Sequence, residues 1–401
     1  MHLTRAGVTG LAFSTRRLDA TQRSTWASSC AGFELVEPTD LWNRSRSLLL
    51  EGTGRRGLEA ISRRLLARSA NARRADAGAG GSAHRVENTL DLWATRRLSR
   101  RLARLASRQR PALVHALRVP FEGIAATMTR LDAPTIVSTW GQDFQGQAKG
   151  SVLDHARHAL RSCDGFMADN HADVRLAKEF GLPETTPSLV VPGNMGLATA
   201  DLRAALAASS TSSKGDRAPL VVFPRGARSY IDYETFVDAI PRVLELRPDA
   251  RVVCIGLGRN QQAAQKAVSF GSSVTLMEQV PQKDLWRLFA EAAVVVSPGR
   301  TDGLPNSVIE AAALGAVVVV YELVSLVEVL EPPMLGYTVP QGDEGAMAKA
   351  IVDALDTPAE RRNQNIEVTI DRFEAQTSLR RVLDFYGQVA PSMSGREGRE
   401  S

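Results

Sequence analysis

The feature that most constrains this chain is the stretch Ala293 to Val320, AVVVSPGRTDGLPNSVIEAAALGAVVVV. Two short apolar runs, Ala293 to Val296 and Val317 to Val320, have the length and β-branched content of buried parallel strands. A helix over about Pro305 to Leu314 lies between them, and Gly315 stops it. Strand, loop, helix and strand in that order make one right-handed unit of a parallel sheet. The loop Ser297 to Asn306 then falls at the carboxyl end of a strand, where open α/β sheets bind ligands. It carries Asp302, and a second acid, Glu310, follows in the first turns of the helix.

Two readings of Glu310 stand side by side. Ser307-Val-Ile-Glu310 has the form of a capping box, in which Ser307 bonds the amide of residue 310 and Glu310 reaches back to the amide of residue 307. On that reading Glu310 is structural. On the other, the loop Gly303-Leu304-Pro305-Asn306 presents the backbone amides of Gly303, Leu304 and Asn306 ahead of a helix start, a seat for a phosphate or a sugar hydroxyl, and Glu310 belongs to the same site.

With 401 residues the chain is long enough for two domains, and 44% hydrophobic residues is ordinary for a globular protein. Its cysteines, Cys30, Cys163 and Cys254, are far apart and odd in number, which fits a reduced intracellular protein. No apolar run approaches a membrane span, and the first residues lack the apolar core of a secretory signal, so the cytoplasm is the expected location. The formal charge of +5 is unevenly spread. Arginines crowd between Arg44 and Arg110, which suggests an acidic partner: phospholipid head groups, a phosphorylated acceptor or nucleic acid. The plainer reading is a solvated face.

In order, the chain opens with a strand over Gly7 to Ser14, a helix over Thr21 to Cys30 and a strand over Phe33 to Glu37. A basic helix, Leu58 to Arg74, precedes a Gly and Ala tract, Asp76 to Ser82. Leu90 to Arg110 reads as a longer helix with Ala94, Leu98, Leu102 and Leu105 at helical spacing among arginines. Such a helix either packs its leucines on a sheet or lies on an anionic membrane. From Ala112 an α/β rhythm runs to Val191. Residues 199–218 contain a run of small and polar residues and read as a linker between a first domain, 1–198, and a second, 219–375. A last helix is expected at about 376–390 and a disordered tail at 391–401.

The organising stretch resembles the acid-x7-acid signature of retaining glycosyltransferases of the GT4 family, with Asp302, then Gly303-Leu-Pro-Asn-Ser307, then Glu310 and Ala313-Leu-Gly315 in the family's order. His115-Ala-Leu-Arg-Val-Pro-Phe-Glu-Gly123, Ser138-Thr-Trp-Gly-Gln-Asp-Phe144 and Val191-Pro-Gly-Asn-Met-Gly-Leu197 resemble family landmarks of the first domain. The resemblance implies the GT-B fold, two Rossmann-like parallel-sheet domains facing a central cleft, with the last helix crossing back to the first domain. It implies a sugar transferred from a nucleotide-sugar donor to an acceptor with retention of configuration. By the same resemblance Glu310 holds the ribose, Asp302 the transferred sugar and Arg225 the diphosphate, with Arg228 the nearest cation where the family places a Lys. Gly256, Gly258, Gly303, Leu304, Pro305, Asn306 and Ser307 complete the donor side, and His115, Trp140, Gly141 and Asp143 the acceptor side. Asp143 reads equally as a turn-former after Gly141.

No Asp-x-Asp pair occurs in the chain, so no catalytic metal and no cofactor are expected, and the partners are a nucleotide sugar and a sugar, lipid-linked or small-molecule acceptor, with no nucleic acid. Peripheral membrane contact through the arginines stays open. Two rivals are a sugar-nucleotide epimerase on the same architecture, disfavoured because residues 219–401 contain no His, and a glycosyltransferase-like protein that binds without catalysis. The second is kept alive by Tyr321-Glu-Leu-Val-Ser-Leu326, which stands where the family has Gly-Gly.

Overall fold

The computed structural model describes residues 10–13, 33–36, 95–129, 131–139, 141, 143, 151–192, 196–209, 217–330 and 336–391. Trp140, the features expected at Thr21 to Cys30 and Leu58 to Ser82, and residues 392–401 lie outside them. The first part comprises β1 (Gly10–Phe13), β2 (Phe33–Val36), α1 (residues 95–109), β3 (Val114–Ala116), α2 (Ile124–Met128), β4 (Thr135–Ser138), α3 (Ser151–Ser162), β5 (Gly165–Ala168), α4 (His171–Glu179) and β6 (Ser188–Val190). After α5 (Thr199–Ala207) come β7 (Leu220–Phe223), α6 (Tyr233–Leu246), β8 (Arg251–Ile255), α7 (Gln261–Val268), β9 (Val274–Met277), α8 (Gln282–Glu291) and β10 (Val294–Ser297). The chain continues through α9 (Asn306–Ala313), β11 (Val317–Tyr321), α10 (Val324–Val327), β12 (Gly336–Val339), α11 (Glu344–Leu355), α12 (Ala359–Arg372) and α13 (Ala375–Val389).

Among the described residues all strand pairs are parallel, in a four-stranded sheet ordered β3-β4-β5-β6, a six-stranded sheet ordered β12-β11-β10-β7-β8-β9, and the pair β1-β2. The second order reverses between β10 and β7, so their carboxyl ends flank a topological switch point. The valine runs are apolar throughout because both faces of this sheet are covered. Val294, Val296, Val317 and Val319 enter one layer with Phe236 and Ile240 of α6 and Met347 and Ile351 of α11. Val295, Val318 and Val320 point to the other layer, with Phe289 of α8, Ile309 of α9 and Ile370 of α12. Each buried valine stabilises the fold by about 1.5–3 kcal/mol.

Two arginines, Arg362 buried and Arg217 half-buried, tie helix ends to this core. Arg217 donates to the carbonyls of Phe289, Ala292 and Leu314, and Arg362 to those of Ala293, Ala354 and Thr357. The acceptors lie mainly at helix carboxyl ends, which the helix dipole leaves negative. Burial lowers both guanidinium groups to about 10, still charged at neutral pH.

Helix α13 leaves the second domain and packs Val382, Phe385 and Tyr386 on Ile136, Met167 and Val191 of the first. Where the chain crosses, the amide of Leu197 donates to Phe373 O at 2.6 Å and that of Ala375 to Leu197 O at 3.2 Å.

Three local features depart from the sequence reading. Residues 199–207 of the expected linker form α5, because Leu202 is buried in the second-domain core. Helix α12 was not expected, since its buried stripe mixes Arg362, Asn365 and Thr369 with Ile366 and Ile370 and so hides its apolar period. The helix expected from Phe121 begins at Ile124, because Pro120 is extended (ψ 143) and Phe121 turns at φ 64, ψ −69.

Candidate active site

The loops after β7 and β10 meet at the switch point. Arg225 Nη1 donates to Asp302 Oδ2 at 2.5 Å, with both side chains mostly buried, at 13% and 10% exposure. Burial raises the Asp302 pKa, and Arg225 pulls it back. The Arg225 guanidinium also lies 5.4 Å from the centre of the Tyr230 ring, and Arg228 Nη1 donates to the Tyr230 hydroxyl at 2.9 Å. Burial pushes the Tyr230 phenol up, but Arg228 and Arg225 outweigh it and leave the pKa lowered. Two cations and a phenol therefore share the end of β7, an electropositive corner suited to a diphosphate.

Beside them, the turn after β8 carries Gly256 at φ 68, and a Cβ on Gly226 of the β7 loop would come within 2.7 Å of Gly256 O. Only glycines allow this approach. Gly258 faces Glu278, and a Cβ added to it would lie 3.6 Å from Oε1 of that carboxylate.

The capping reading of Glu310 does not hold. Helix α9 starts at Asn306 after Pro305, with no side-chain cap, so Ser307 already lies within the first turn and the capping box does not form. The Glu310 carboxylate instead accepts from Gln282 Nε2 of α8 at 3.0 Å and is 7% exposed. Burial raises its pKa, and the hydrogen bond from Gln282 opposes the rise.

On the first domain, His115 and Asp143 are enclosed rather than presented. His115 Nδ1 meets the Tyr386 hydroxyl at 2.6 Å and Nε2 meets Ser138 Oγ at 2.5 Å, while burial lowers the ring to about 4. It joins α13 to the first sheet. Asp143 is fully buried and accepts from Arg118 Nη2 at 2.7 Å and from the amide of Val119 at 3.1 Å, so it pins the strained turn at Phe121. Both side chains are taken up by protein partners. Gly141 does reach the cleft: it sits at φ 75, and a Cβ on it would lie 1.9 Å from the amide nitrogen of Gly303, leaving room for hydrogen alone.

Sequence reasoning missed Asp169. Its Oδ2 accepts from the amide of Leu304 at 2.9 Å, across the cleft, and its Oδ1 accepts from Asn170 Nδ2 at 2.6 Å. Close by, Glu328, just past α10, accepts from the His171 amide at 2.7 Å and faces Arg175 at 3.6 Å. Burial raises the Asp169 and Asp173 pKa values, and the neighbouring acids Asp302 and Asp143 add to the rise. Asp169-Asn170 also ends a parallel strand ahead of a helix, the same signal that marked Asp302.

Residues 219–357 match the family model described as "Glycosyl transferases group 1". The chain is 28% identical over 163 residues to a phosphatidyl-myo-inositol mannosyltransferase of Mycobacterium leprae, a match covering 39% of this chain and 43% of that protein. The chain thus matches under half the length of that relative. Among solved structures it is similar to a glycosyltransferase from Rickettsia africae (TM-score 0.65, 12% identity, 97% of this chain and 92% of that one). Another is Anabaena Alr3699/HepE in complex with UDP and glucose (TM-score 0.60, 13% identity, 94% and 91%). The two parallel-sheet domains and these likenesses identify the chain as having the GT-B fold, with a second domain that matches the group 1 glycosyltransferase model.

Proposed function

We propose that the protein transfers a sugar from a nucleotide-sugar donor to an acceptor hydroxyl, with retention of configuration. The observation that carries this reading is the Arg225–Asp302 pair at the switch point, with Glu310 uncommitted to capping one helix face away. In this scheme Glu310 takes the ribose hydroxyls, and Arg225 with Arg228 neutralises the diphosphate as the sugar–oxygen bond breaks. Positive charge aimed at a leaving group lowers the barrier without a protein nucleophile. Asp302 exchanges part of its bond with Arg225 for a sugar hydroxyl, and the amides of Gly303, Leu304 and Asn306 fix the ring. The leaving diphosphate receives the acceptor proton on the face where the new bond forms, which retains configuration. The reading assigns the positive charge to side chains and helix-start amides and uses no metal.

The acceptor in this proposal is lipid-linked. The Mycobacterium leprae relative is named for a phosphatidyl-myo-inositol acceptor, and on α1 Arg96, Arg100, Arg104 and Arg108 are exposed while Leu98, Leu102 and Leu105 are half-buried. Each arginine near an anionic surface adds about 1 kcal/mol. Sedimentation with anionic and neutral vesicles at two salt concentrations tests that contact, and binding indifferent to lipid charge and salt contradicts it.

The transfer is tested by incubating the protein with UDP-glucose or GDP-mannose and phosphatidylinositol vesicles. Release of nucleoside diphosphate above the acceptor-free rate, with an unchanged anomeric configuration in the product, is the expected result. Binding of sugar nucleotide with no release for any acceptor favours a protein that holds the donor without turning it over.

A further inference from the structure

The amide of Leu304 has one hydrogen to give, and Asp169 of the opposite domain takes it at 2.9 Å. The Asp169 carboxylate is seated by Asn170 on one side and by the loop backbone on the other, so close that a Cβ on Gly303 would lie 2.7 Å from both its oxygens. A second carboxylate runs the other way, from Glu328 of the second domain to the His171 amide at the start of α4. The two contacts are reciprocal: each domain puts an acid on a backbone amide ahead of, or at, a helix start of the other. Ser325 Oγ, donating to Asp302 O at 2.9 Å, and the Arg225–Asp302 pair hold the loop from behind.

We propose that Asp169 is a first-domain determinant of donor binding, a built-in competitor whose carboxylate and a donor oxygen claim the same Leu304 amide. This rests on the reading of residues 302–306 as the donor loop. An amide hydrogen serves one strong acceptor at a time, so a sugar nucleotide that uses Leu304 must displace Asp169 and loosen the clasp between the domains. One further consequence concerns the choice of ligand. A ligand that reaches Arg225 and Glu310 but stops short of Leu304 does not feel the competition. Asp169 therefore discriminates between a sugar nucleotide and its bare nucleoside diphosphate.

The experiment compares the native chain with Asp169→Ala and Asp169→Asn. The second variant is nearly isosteric, keeps an oxygen for Leu304 and removes only the charge. Hydrogen exchange over residues 302–306, with no nucleotide added, reads the clasp itself: faster exchange in Asp169→Ala is expected, and an unchanged rate overturns the clasp. Calorimetric titration then uses UDP, UDP-glucose, GDP and GDP-mannose as probes. Asp169→Ala should bind the sugar nucleotide about tenfold more tightly, with Asp169→Asn between it and the native protein and the diphosphates changed little. Weaker sugar-nucleotide binding in Asp169→Ala overturns the proposal and makes Asp169 a donor ligand. Faster exchange with no binding of any probe in any of the three proteins removes the donor reading of the loop, and the competition falls with it. Those two failures are thus told apart by the exchange data.

Discussion

The two domains treat their polar residues differently. In the second, the residues the sequence singled out converge: Arg225 pairs with Asp302, Arg228 shares Tyr230 with Arg225, and Glu310 is turned away from any capping role. In the first, His115 and Asp143 are locked into the fabric by Tyr386, Ser138, Arg118 and the Val119 amide, and the acid at the cleft is Asp169. A polar residue at a strand end in sequence announces that it has a partner. Whether the partner is a ligand or the protein itself is a tertiary question, decided by which neighbours close over it.

The sharpest way to break that contrast is to remove one charge from each domain. Arg225→Ala should lower the rate of nucleoside diphosphate release by about 30- to 1000-fold, the loss of roughly 2–4 kcal/mol of leaving-group stabilisation. Asp143→Ala should act on stability instead, since it leaves the Val119 amide unpaired at the strained turn, and urea melts should show a loss of about 1–3 kcal/mol. A variant of Asp143 with native stability and a large defect in transfer would erase the distinction.

His115 offers the next test. Its ring titrates near 6.5 in the unfolded chain and at about 4 in the folded one, so between those values the unfolded chain binds more protons. Stability is fully present above pH 6.5 and is lost as pH falls toward 4, by up to about 3 kcal/mol. His115→Gln should flatten that slope in melts at pH 7 and pH 4.5, whereas a ring serving only in catalysis leaves the slope unchanged.

Asp173 sharpens the comparison with the opposite sign. Its folded pKa is raised by burial and by Asp169 and Asp143, so the folded protein binds more protons above the ordinary carboxylate range and loses stability as pH rises through that pKa. Asp173→Asn should gain about 1–2 kcal/mol relative to the native chain at pH 8 and nothing at pH 4. A gain that does not depend on pH would point to packing in place of charge.

How much of this was legible in the residues alone follows from the same physics. The valine runs at Val294 and Val317 and the glycines around them announce a doubly covered parallel sheet, because continuous apolar strands need cover on both faces. Helix α12 was illegible because its buried positions include Arg362, Asn365 and Thr369, whose hydrogen bonds and not their hydropathy put them inside. The capping box at Ser307 was a correct local pattern overruled by Pro305, after which the helix starts too early for Ser307 to cap it. Asp169 was hidden for the plainest reason. Its partner is Leu304, 135 residues away, and no local pattern encodes that contact.

The central claim is that Glu310 is a ligand-binding carboxylate, and Glu310→Gln tests it most directly. Glutamine fills the same volume and keeps an oxygen for Gln282, so the helix and its packing persist while the charge is removed. Titration with UDP and GDP should show an affinity for the preferred nucleotide lowered by roughly 30-fold or more, a loss of about 2 kcal/mol for a charged hydrogen bond, with a melting temperature equal to or slightly above that of the native chain. Unchanged affinity together with a lowered melting temperature would contradict the account and return Glu310 to the scaffold.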